Sequence, residues 1–289
     1  MNRHNIIAAL VVMGLSISVH AEETQTDSGY WSDFKTDWLG MAPGAKPFYF
    51  RAGYTLLAPD SSSSEVTLSN VGGIAELAIS DGPIEGSGAA VEETDFPSVI
   101  VGWQLPWGNG QWAVETVLAL PLTVEFTTTG TLQSESIAPM ALGNIPTGVP
   151  ALGEEFGEAK VLPPVVTLVY RFLPDSSIRP YVGAGVAMLF AYDAEVTNPV
   201  LTAVSTPELE IDPAVGYAVQ GGVEFRVWKD WWVNADVKFV GGLESTATVK
   251  DIWVETPGLP TYEVARVGDA SMDVTVDPWV YHIGVGFNF

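Results

Sequence analysis

The segment from Trp279 to Phe289 places an aromatic or branched apolar side chain at every odd position. Alternate side chains of a β-strand point to opposite faces. One face of this segment is therefore apolar, while the other carries His282 and two glycines. Such a strand fits a place with lipid on one side and a protein interior on the other. The segment predicts an all-β membrane protein whose last strand closes a barrel.

The beginning of the sequence has the features of a secretory signal. Arg3 and His4 precede an apolar run from Ile6, and Val19-His20-Ala21 offers the small residues that a signal peptidase reads. We predict a signal peptide over 1–21, a periplasmic lead-in over 22–46 and one barrel domain over 47–289. The lead-in fits a short amphipathic helix or a disordered tail, and the tail is preferred. No later stretch reaches the roughly 20 apolar residues of a membrane helix, although 47% of the chain is hydrophobic.

Charge and residue counts exclude several classes of function. Lys and Arg number 12 against 35 for Asp and Glu, a net charge of -23, which argues against nucleic-acid binding through a basic surface. The chain has no cysteine, so it has no disulfide, thiolate metal site or cysteine nucleophile. Only His282 lies outside the predicted signal, which excludes a multi-histidine metal site. We predict no catalytic residue, no metal and no other cofactor.

Eight segments alternate with the period of a strand. They are Pro47–Leu57, Phe96–Leu105, Gln111–Thr127, Val161–Phe172, Ile178–Tyr192, Pro213–Trp228, Asp230–Lys250 and Asp273–Phe289. Short connections alternate with long ones, and an even strand count puts both termini on the short-turn side. The sequence predicts an eight-stranded antiparallel transmembrane β-barrel with short periplasmic turns and long extracellular loops. In the long 128–160 connection, residues 140–149 fit either a lid over the mouth or a mobile loop.

Charged residues within these segments indicate which face points inward. A charge on the lipid face near the membrane midplane costs a few kcal/mol, so charged side chains and those that share their parity belong inside. The mixture of acids and bases fits either ion pairs that plug the barrel or a channel whose charges set selectivity, and the plug is preferred. The residues assigned to the lumen are Arg51, Glu115, Arg171, Glu224, Arg226, Trp232, Asp236, Lys238 and His282.

A set of strings occurs in order along nearly the whole predicted mature chain. They are Arg51-Ala52-Gly53, Glu115 to Pro121, Leu162-Pro163-Pro164, Ile178 to Val186, Asp230 to Asn234 and Asp277-Pro278-Trp279. Together they resemble the outer-membrane protein W family. The loops depart from that family, because they are longer and more acidic than in its simpler members. The surplus acid fits a solvated surface better than a cation site, since no calcium-loop pattern is present.

The resemblance implies an eight-stranded barrel with a narrow, largely apolar passage that is open to the outside and closed towards the periplasm. It also implies uptake of small hydrophobic molecules that leave sideways through a gap in the wall, because an apolar solute gains little from periplasmic water. Aligning the strings places the family's constriction at Val117 and Lys238. Lys238 replaces an aromatic residue, which predicts either a wetter lower lumen or an ion-pair plug with Asp236.

Three prolines are the candidates for such a gap. Proline has no backbone N–H and interrupts the ladder where it lies. Pro121 matches a family proline and fits either a bulge or part of a lateral opening. Pro163 and Pro164 weaken strand pairing on the same side of the barrel. We predict the opening at these three residues.

The leading functional hypothesis is a channel for passive uptake of small hydrophobic molecules across the outer membrane of a Gram-negative bacterium. The alternative is a structural or receptor barrel with a plugged lumen, whose acidic loops dock phage, bacteriocins or other partners. A lipid-modifying enzyme is rejected, because His282 faces the lumen by parity. The expected partners are outer-membrane lipid and lipopolysaccharide, small hydrophobic solutes, and the barrel-assembly machinery through the C-terminal strand.

Overall fold

The computed structural model of the protein describes residues 46–119, 121–259 and 261–289. The predicted signal peptide and nearly all of the predicted lead-in lie outside these residues. Within them, no helix is both long and apolar enough to cross a bilayer. The helical segments are a 3-10 turn at Gly73–Leu77 and a single turn, α1, at Thr131–Ser134.

Apart from these two helical turns, the regular secondary structure of the described chain is β-structure. The strands in chain order are β1 (Phe48–Ala58), β2 (Ser61–Ser63), β3 (Thr67–Ser69), β4 (Gly82–Pro83), β5 (Ser87–Val91), β6 (Thr94–Gln104), β7 (Trp112–Ala119), β8 (Leu122–Gly130), β9 (Met140–Ala141), β10 (Ile145–Pro146), β11 (Glu155–Leu162), β12 (Val165–Arg171), β13 (Ile178–Val196), β14 (Glu208–Ile211), β15 (Ala214–Trp228), β16 (Trp231–Gly241), β17 (Leu243–Glu255), β18 (Val264–Val276) and β19 (Trp279–Asn288).

Eight of these strands close into a barrel. Every neighbouring pair is antiparallel, in the order β1, β6, β7, β12, β13, β15, β16 and β19. β19 then pairs with β1 from Tyr49 opposite Asn288 to Ala58 opposite Trp279, which closes the ring. The predicted eight-stranded antiparallel barrel is confirmed. We call the end with the β6–β7, β12–β13 and β15–β16 turns the short-turn rim, and the opposite end the long-loop rim.

The outer face of the barrel is apolar and carries aromatic rings at two levels. Near the short-turn rim, the rings of Trp231 and Phe287 lie 5.1 Å apart. Towards the long-loop rim, those of Phe239 and Trp279 also lie 5.1 Å apart. The two levels are separated by about 26 Å along β16 at the usual rise per residue. Because the strands of such barrels tilt by about 35–45°, the two levels differ by about 20 Å in height, somewhat less than the roughly 25 Å apolar band that aromatic girdles flank.

The segments predicted as long loops contain several strands in addition to irregular chain, and the prediction did not include these strands. We call the sheet that they form above the long-loop rim the upper sheet. Its pairings are β5 with β8, β8 with β11, β11 with the end of β13, β13 with β14, β14 with β17, β17 with β18, β18 with β2 and β3, and β3 with β4. A hydrophobic core that includes Leu68, Leu132, Val254 and Val267 fills this region.

Segment 140–149 belongs to the same packed region and is not a loose loop. β9 and β10 form a short hairpin in which Ala141 pairs with Ile145. The Thr147 hydroxyl contacts the carbonyl oxygen of Ala138, and Val149 is buried in the hydrophobic core. Loop residues that bury apolar side chains gain enough to offset the cost of ordering the backbone.

Four predicted strands are each divided in two where the barrel meets the upper sheet. The predicted strand Asp230–Lys250 breaks at Gly242, whose φ of +74° is a conformation that favours glycine. The Gly242 N–H donates to the Asp277 carboxylate at 2.8 Å, and the Val240 N–H donates to the Pro278 carbonyl at 3.0 Å. Gly242, between β16 and β17, therefore lies beside Asp277-Pro278, between β18 and β19. The two neighbouring strand pairs are interrupted at the same level of the barrel.

Candidate functional site

Buried charged and phenolic side chains fill the half of the barrel interior next to the short-turn rim. They come from six neighbouring or facing strands, and each is no more than 5% exposed. Charges in so dry an interior are tolerated only when they are paired and hydrogen bonded. We call this group the ion-pair network: Tyr49, Arg51, Glu115, Arg171, Arg179, Tyr181, Glu224, Asp236 and Lys238.

Glu115 is held by donors on both of its oxygens. Its Oε1 accepts hydrogen bonds from the Tyr49 hydroxyl at 2.5 Å and from Arg51 Nη2 at 2.8 Å. Arg171 Nη2 lies 3.5 Å from the same oxygen. The Oε2 atom accepts from Gln220 Nε2 at 3.1 Å. The carboxylate is therefore compensated in both charge and hydrogen bonding.

Glu224 forms ion pairs with three buried arginines. Its Oε1 accepts from Arg51 Nη2 at 2.5 Å, so Arg51 bridges the two glutamates. Its Oε2 forms ion pairs with Arg179 Nε at 2.8 Å and with Arg171 Nε at 3.4 Å. Because three arginines share two glutamates, removal of either acid leaves buried positive charge without a partner.

Tyr181 connects this part of the network to the acid on β16. Its hydroxyl donates to Asp236 Oδ2 at 3.2 Å and accepts from Arg51 Nη1 at 3.3 Å. The other oxygen of Asp236 forms a close ion pair with Lys238 Nζ. Gly222, directly opposite Tyr181 in the β13–β15 ladder, leaves room for the ring, since a Cβ there would lie 2.5 Å from the Tyr181 Cζ.

Trp232 lies below the network at the short-turn rim. The guanidinium carbon of Arg179 lies 3.2 Å from its ring centroid and that of Arg226 lies 4.6 Å away, in cation–π positions. Arg226 itself is exposed. It shares the inward parity of Glu224 but lies beyond the end of the lumen, which corrects its assignment as a lumen residue. Parity gives the side of a strand but not the depth along it.

The half of the interior next to the long-loop rim is an apolar cavity of about 140 Å³, which we call the lumen cavity. Strands of the barrel and of the upper sheet both contribute to its walls. Ala187, Val165, Val240 and Leu243 belong to one buried cluster against which Val117 packs. The walls include Leu57, Phe96, Ile100, Val117, Leu122, Val161, Val165, Leu189, Val240, Leu243 and Met272. A space of this character excludes water and accepts apolar molecules.

Four polar residues, which we call the cavity floor, lie where the lumen cavity meets the ion-pair network. They are Thr55, Ser98, His282 and Lys238, all of which line the cavity. The hydroxyl oxygens of Thr55 and Ser98 lie 2.6 Å apart. The Nδ1 atom of His282 lies 3.0 Å from the Thr55 hydroxyl and 3.2 Å from that of Ser98. His282 is thus a buried interior residue engaged with two hydroxyl groups.

The barrel wall is interrupted beside the lumen cavity. In the described residues, the β7–β12 ladder ends at Thr116 opposite Val166, and pairing resumes between β8 and β11 at Leu122 opposite Val161. We call the interval between 117–119 and Pro121 on one side and 162–165 on the other the wall gap. On the inside, Val117, Pro163 and Val165 line the cavity. On the outside, Pro121, Leu162 and Val166 are exposed.

The predicted site residues therefore separate into four places, of which one is the short-turn rim, where Trp232 and Arg226 lie. Arg51, Glu115, Arg171, Glu224, Asp236 and Lys238 meet in the network, and Val117, Lys238 and His282 line the cavity. Pro121, Pro163 and Pro164 border the wall gap. Tyr49, Thr55, Ser98, Arg179 and Tyr181 were not among the predicted residues. Their inward parity was visible in the sequence, since Arg179 and Tyr181 alternate with Ile178, Pro180 and Val182.

Among the residues that the structure describes, no three His, Asp or Glu side chains come together where a metal ion could be held. A few of the acids near the surface form pairs with bases. Lys160 Nζ lies 3.0 Å from Asp193 Oδ2, and Arg266 Nε lies 3.1 Å from Asp251 Oδ1. Such exposed pairs contribute little to stability.

Comparison with known proteins places this barrel in a family. Outer membrane protein W of Vibrio cholerae is 31% identical over 185 residues, which cover 63% of this chain and 78% of that protein. The uncharacterized outer-membrane protein y4mB of Sinorhizobium fredii is 27% identical over 206 residues, covering 71% of this chain and 78% of the relative. Both relatives are outer-membrane proteins by name.

A solved structure has the same fold. The crystal structure of the outer membrane protein OprG from Pseudomonas aeruginosa aligns with a TM-score of 0.62 at 22% identity, over 85% of this chain and 96% of OprG. The sequence profile of the OmpW family matches residues 104–289, which include the wall gap and most of the ion-pair network. The chain belongs to the OmpW family and is an outer-membrane β-barrel protein of a Gram-negative bacterium.

Proposed function

We propose that the protein is a channel for passive uptake of small hydrophobic molecules across the outer membrane, with lateral exit through the wall gap. The observation that carries the proposal is the lumen cavity, which is apolar on its walls, closed below by the ion-pair network and bordered by an interrupted wall. An apolar solute gains roughly 25 cal/mol for each Å² that it removes from water, so a dry cavity attracts it.

The ion-pair network argues against passage straight through the barrel. An apolar molecule crossing it would have to separate Arg51 from Glu115 and Glu224, and buried charges without partners are costly. Beyond the network the apolar solute would enter periplasmic water, where its free energy is higher than in the cavity. The wall gap leads from the cavity towards the membrane interior, where an apolar solute is as stable as in the cavity.

The prolines support the wall gap as the exit. Neither Pro121 nor Pro163 has an N–H to donate, so neighbouring strands cannot form a full ladder there. The Pro164 carbonyl accepts the Met188 N–H at 3.0 Å, so this segment remains fixed to β13. Among the described residues, 162–165 form no ladder pair with β7 or β8 on the other edge. A local break between firmly paired strands is a stable opening rather than a frayed edge.

The proposed orientation places the short-turn rim in the periplasm and the upper sheet outside. Outer-membrane barrels have short periplasmic turns and long external connections. In this orientation the lumen cavity receives solutes from the exterior, and the network closes the periplasmic end. The signal peptide at 1–21 and the periplasmic lead-in at 22–46 are part of this proposal.

Uptake into vesicles tests the transport function. The purified full-length barrel is inserted into liposomes, and the uptake rate of a small alkane such as octane is compared with that of protein-free vesicles. Val165→Trp, which fills the cavity beside the wall gap, is expected to slow uptake severalfold. Val219→Trp is the matched control, because this exposed side chain lies on the outer face of β15 in continuous ladders, away from the wall gap. Octane uptake no faster than in protein-free vesicles would refute the proposal.

A structural or receptor barrel is the second candidate, and the ordered upper sheet favours it. Its hydrophobic core and many strand pairings make a fixed external surface of the kind that a partner recognises. Deletion of the β9–β10 hairpin, Met140–Pro146, separates the two functions. Loss of phage or bacteriocin binding with unchanged octane uptake would support a receptor role.

A further inference from the structure

Positive charge exceeds negative charge among the buried residues of the described chain. Lys238 is paired with Asp236, so the surplus lies among the arginines of the ion-pair network. Three buried arginines share two buried glutamates, and an uncompensated charge in a dry interior is unfavourable. The arginines are Arg51, Arg171 and Arg179, and the glutamates are Glu115 and Glu224.

Arg179 is the member of the ion-pair network on β13 that lies nearest the short-turn rim. Its Nε atom lies 2.8 Å from Glu224 Oε2, and its guanidinium carbon lies 3.2 Å from the centre of the Trp232 ring. The exposed Arg226 lies against the same ring at 4.6 Å. Among the described residues, Glu224 is the one carboxylate that pairs with Arg179, and Arg226 forms no ion pair. The surplus positive charge is therefore concentrated at this end of the network.

Two side chains beside Arg179 have polar atoms without a partner. Trp232 is 4% exposed and Asn234 is 0% exposed. Within the described part of the chain, neither the indole Nε1 of Trp232 nor the amide of Asn234 is hydrogen bonded. The residues opposite them on β19 are Gly286 and Gly284, which have no side chain to supply an acceptor. Buried donors of this kind are costly unless something accepts from them.

The ladder registers bring these groups together. Arg179 is directly opposite Glu224 in the β13–β15 ladder, and Glu224 is directly opposite Asn234 in the β15–β16 ladder. Trp232 follows Asn234 on the same face of β16, one position nearer the short-turn rim. We call Arg179, Trp232 and Asn234 the rim site. Glu224 does not make this site negative, because three arginines share its carboxylate.

We infer that the rim site binds a small monovalent anion such as chloride, which enters from the solvent at the short-turn rim. The guanidinium of Arg179 and the N–H groups of Trp232 and Asn234 donate to the anion, and its single negative charge cancels the surplus positive charge. Water could accept from the same donors but would leave that charge uncompensated. The inference goes beyond the proposed channel, since the anion completes the closed end of the barrel and is not the solute.

Unfolding at fixed ionic strength tests the inference. The full-length barrel in lipid vesicles is unfolded with urea while chloride replaces gluconate, an anion too large for so enclosed a site. The folding equilibrium constant is expected to rise at least about tenfold between chloride-free buffer and about 0.2 M chloride, as a Kd of about 20 mM gives. Broadening of the chloride NMR line by the folded barrel measures binding directly. Neither measurement needs a variant.

Removal of one donor locates the anion. Trp232→Phe keeps an aromatic ring against Arg179 but removes the Nε1 donor, and it is expected to reduce the chloride effect severalfold. Trp103→Phe is the matched control, because the Trp103 Nε1 atom is also buried without a partner. Trp103 follows Gly102, which faces Tyr49 inside the barrel, so its side chain is on the outer face. This control is expected to keep the full chloride effect.

Removal of the surplus charge tests its role. Arg179→Gln leaves Glu224 paired with Arg51 and Arg171. This variant is expected to unfold at the same urea concentration with and without chloride and to broaden the chloride line no more than empty vesicles do. Lys229→Gln removes one positive charge from the same rim, where Lys229 lies against Trp228. It is expected to behave like the unsubstituted barrel.

Two results would overturn the inference. One is an unsubstituted barrel whose urea unfolding and chloride line width do not depend on chloride, which would mean that water alone meets the donors. The other is an Arg179→Gln barrel with the full chloride effect, which would place the anion elsewhere. Octane uptake does not enter either test. A barrel that fails to take up octane can therefore still show the rim site, and a transporting barrel can lack it.

Discussion

Gly102 and Tyr49 face each other across the β1–β6 ladder, and the tyrosine ring occupies the space that a side chain at Gly102 would take. A Cβ at residue 102 would lie 1.9 Å from Tyr49 Cζ. The ring lies flat over the glycine because the Tyr49 hydroxyl reaches across to Glu115 at 2.5 Å. The glycine therefore positions one of the donors that hold the ion-pair network.

Gly102→Ala is expected to destabilise the barrel by about 1–3 kcal/mol, the usual cost of overpacking a fixed interior. The displaced Tyr49 ring would also lose its hydrogen bond to Glu115. Denaturant unfolding in lipid vesicles measures the change. Gly221→Ala is the control, since a Cβ there meets no atom within 4 Å. Equal unfolding midpoints for the two variants would contradict the fit of ring to glycine.

Glu115→Gln is expected to lower the free energy of unfolding by about 3–5 kcal/mol, because it leaves Arg51, Arg171 and Arg179 with Glu224 as their one shared carboxylate. The same unfolding experiment measures it. Asp193→Asn removes one partner of the exposed Lys160 pair and should have little effect. If the buried and exposed substitutions cost the same, the network does not depend on charge pairing.

The alternation of apolar and polar side chains predicted the barrel, because the physical cause of this alternation acts on neighbouring residues of one strand. Lipid outside and protein inside require opposite chemistry on successive residues, and strands such as Trp231–Gly241 carry that requirement in their own sequence. The side on which Glu224 and Asp236 lie follows from the same rule. The closing pair, β1 with β19, could be expected. In a closed barrel the first strand pairs with the next strand on one edge, and only the last strand remains for its other edge.

The remaining features depend on contacts between strands that are distant in sequence. Arg51 bridges Glu115 and Glu224, which lie on β7 and β15. No periodicity states how far each strand is shifted against its neighbours, so alternation could not predict which charges meet. The alternation of side chains also did not predict the strand break at Gly242, because a single residue with positive φ leaves the apolar and polar pattern on either side unchanged. The upper sheet was missed for a related reason, as its short strands are stabilised by long-range pairing.

Acid is expected to loosen the bulge at Asp251 in the upper sheet. The Asp251 N–H, at a residue with φ of +56°, donates to Asp269 at 2.9 Å, and Asn70 donates to the other carboxylate oxygen at 2.8 Å. These two hydrogen bonds lower the pKa of Asp269 below its ordinary value of 3.8. The stabilisation is therefore complete above about pH 4 and is lost as the pH falls through the lowered pKa.

Hydrogen exchange of the Asp251 amide measures this effect. Its protection, corrected for the intrinsic exchange rate, should be constant from pH 7 to pH 5 and should fall below pH 4. Asp269→Asn should reduce protection at neutral pH and abolish the acid dependence, because an amide oxygen accepts more weakly than a carboxylate. Protection that is unchanged down to pH 2 in the unsubstituted protein would show that Asp269 does not hold the bulge.

Replacement of two prolines at the wall gap is expected to slow lateral exit. Pro121→Ala with Pro163→Ala supplies the missing N–H donors and allows the edges of the β7–β8 and β11–β12 strands to pair across the interval. Octane uptake into vesicles should fall severalfold, while the unfolding midpoint stays equal or rises. Pro180→Ala is the matched control, because Pro180 lies in a continuous β13–β15 ladder opposite Val223, far from the gap. A doubly substituted barrel that assembles normally and takes up octane at the original rate would mean that the solute leaves by another route.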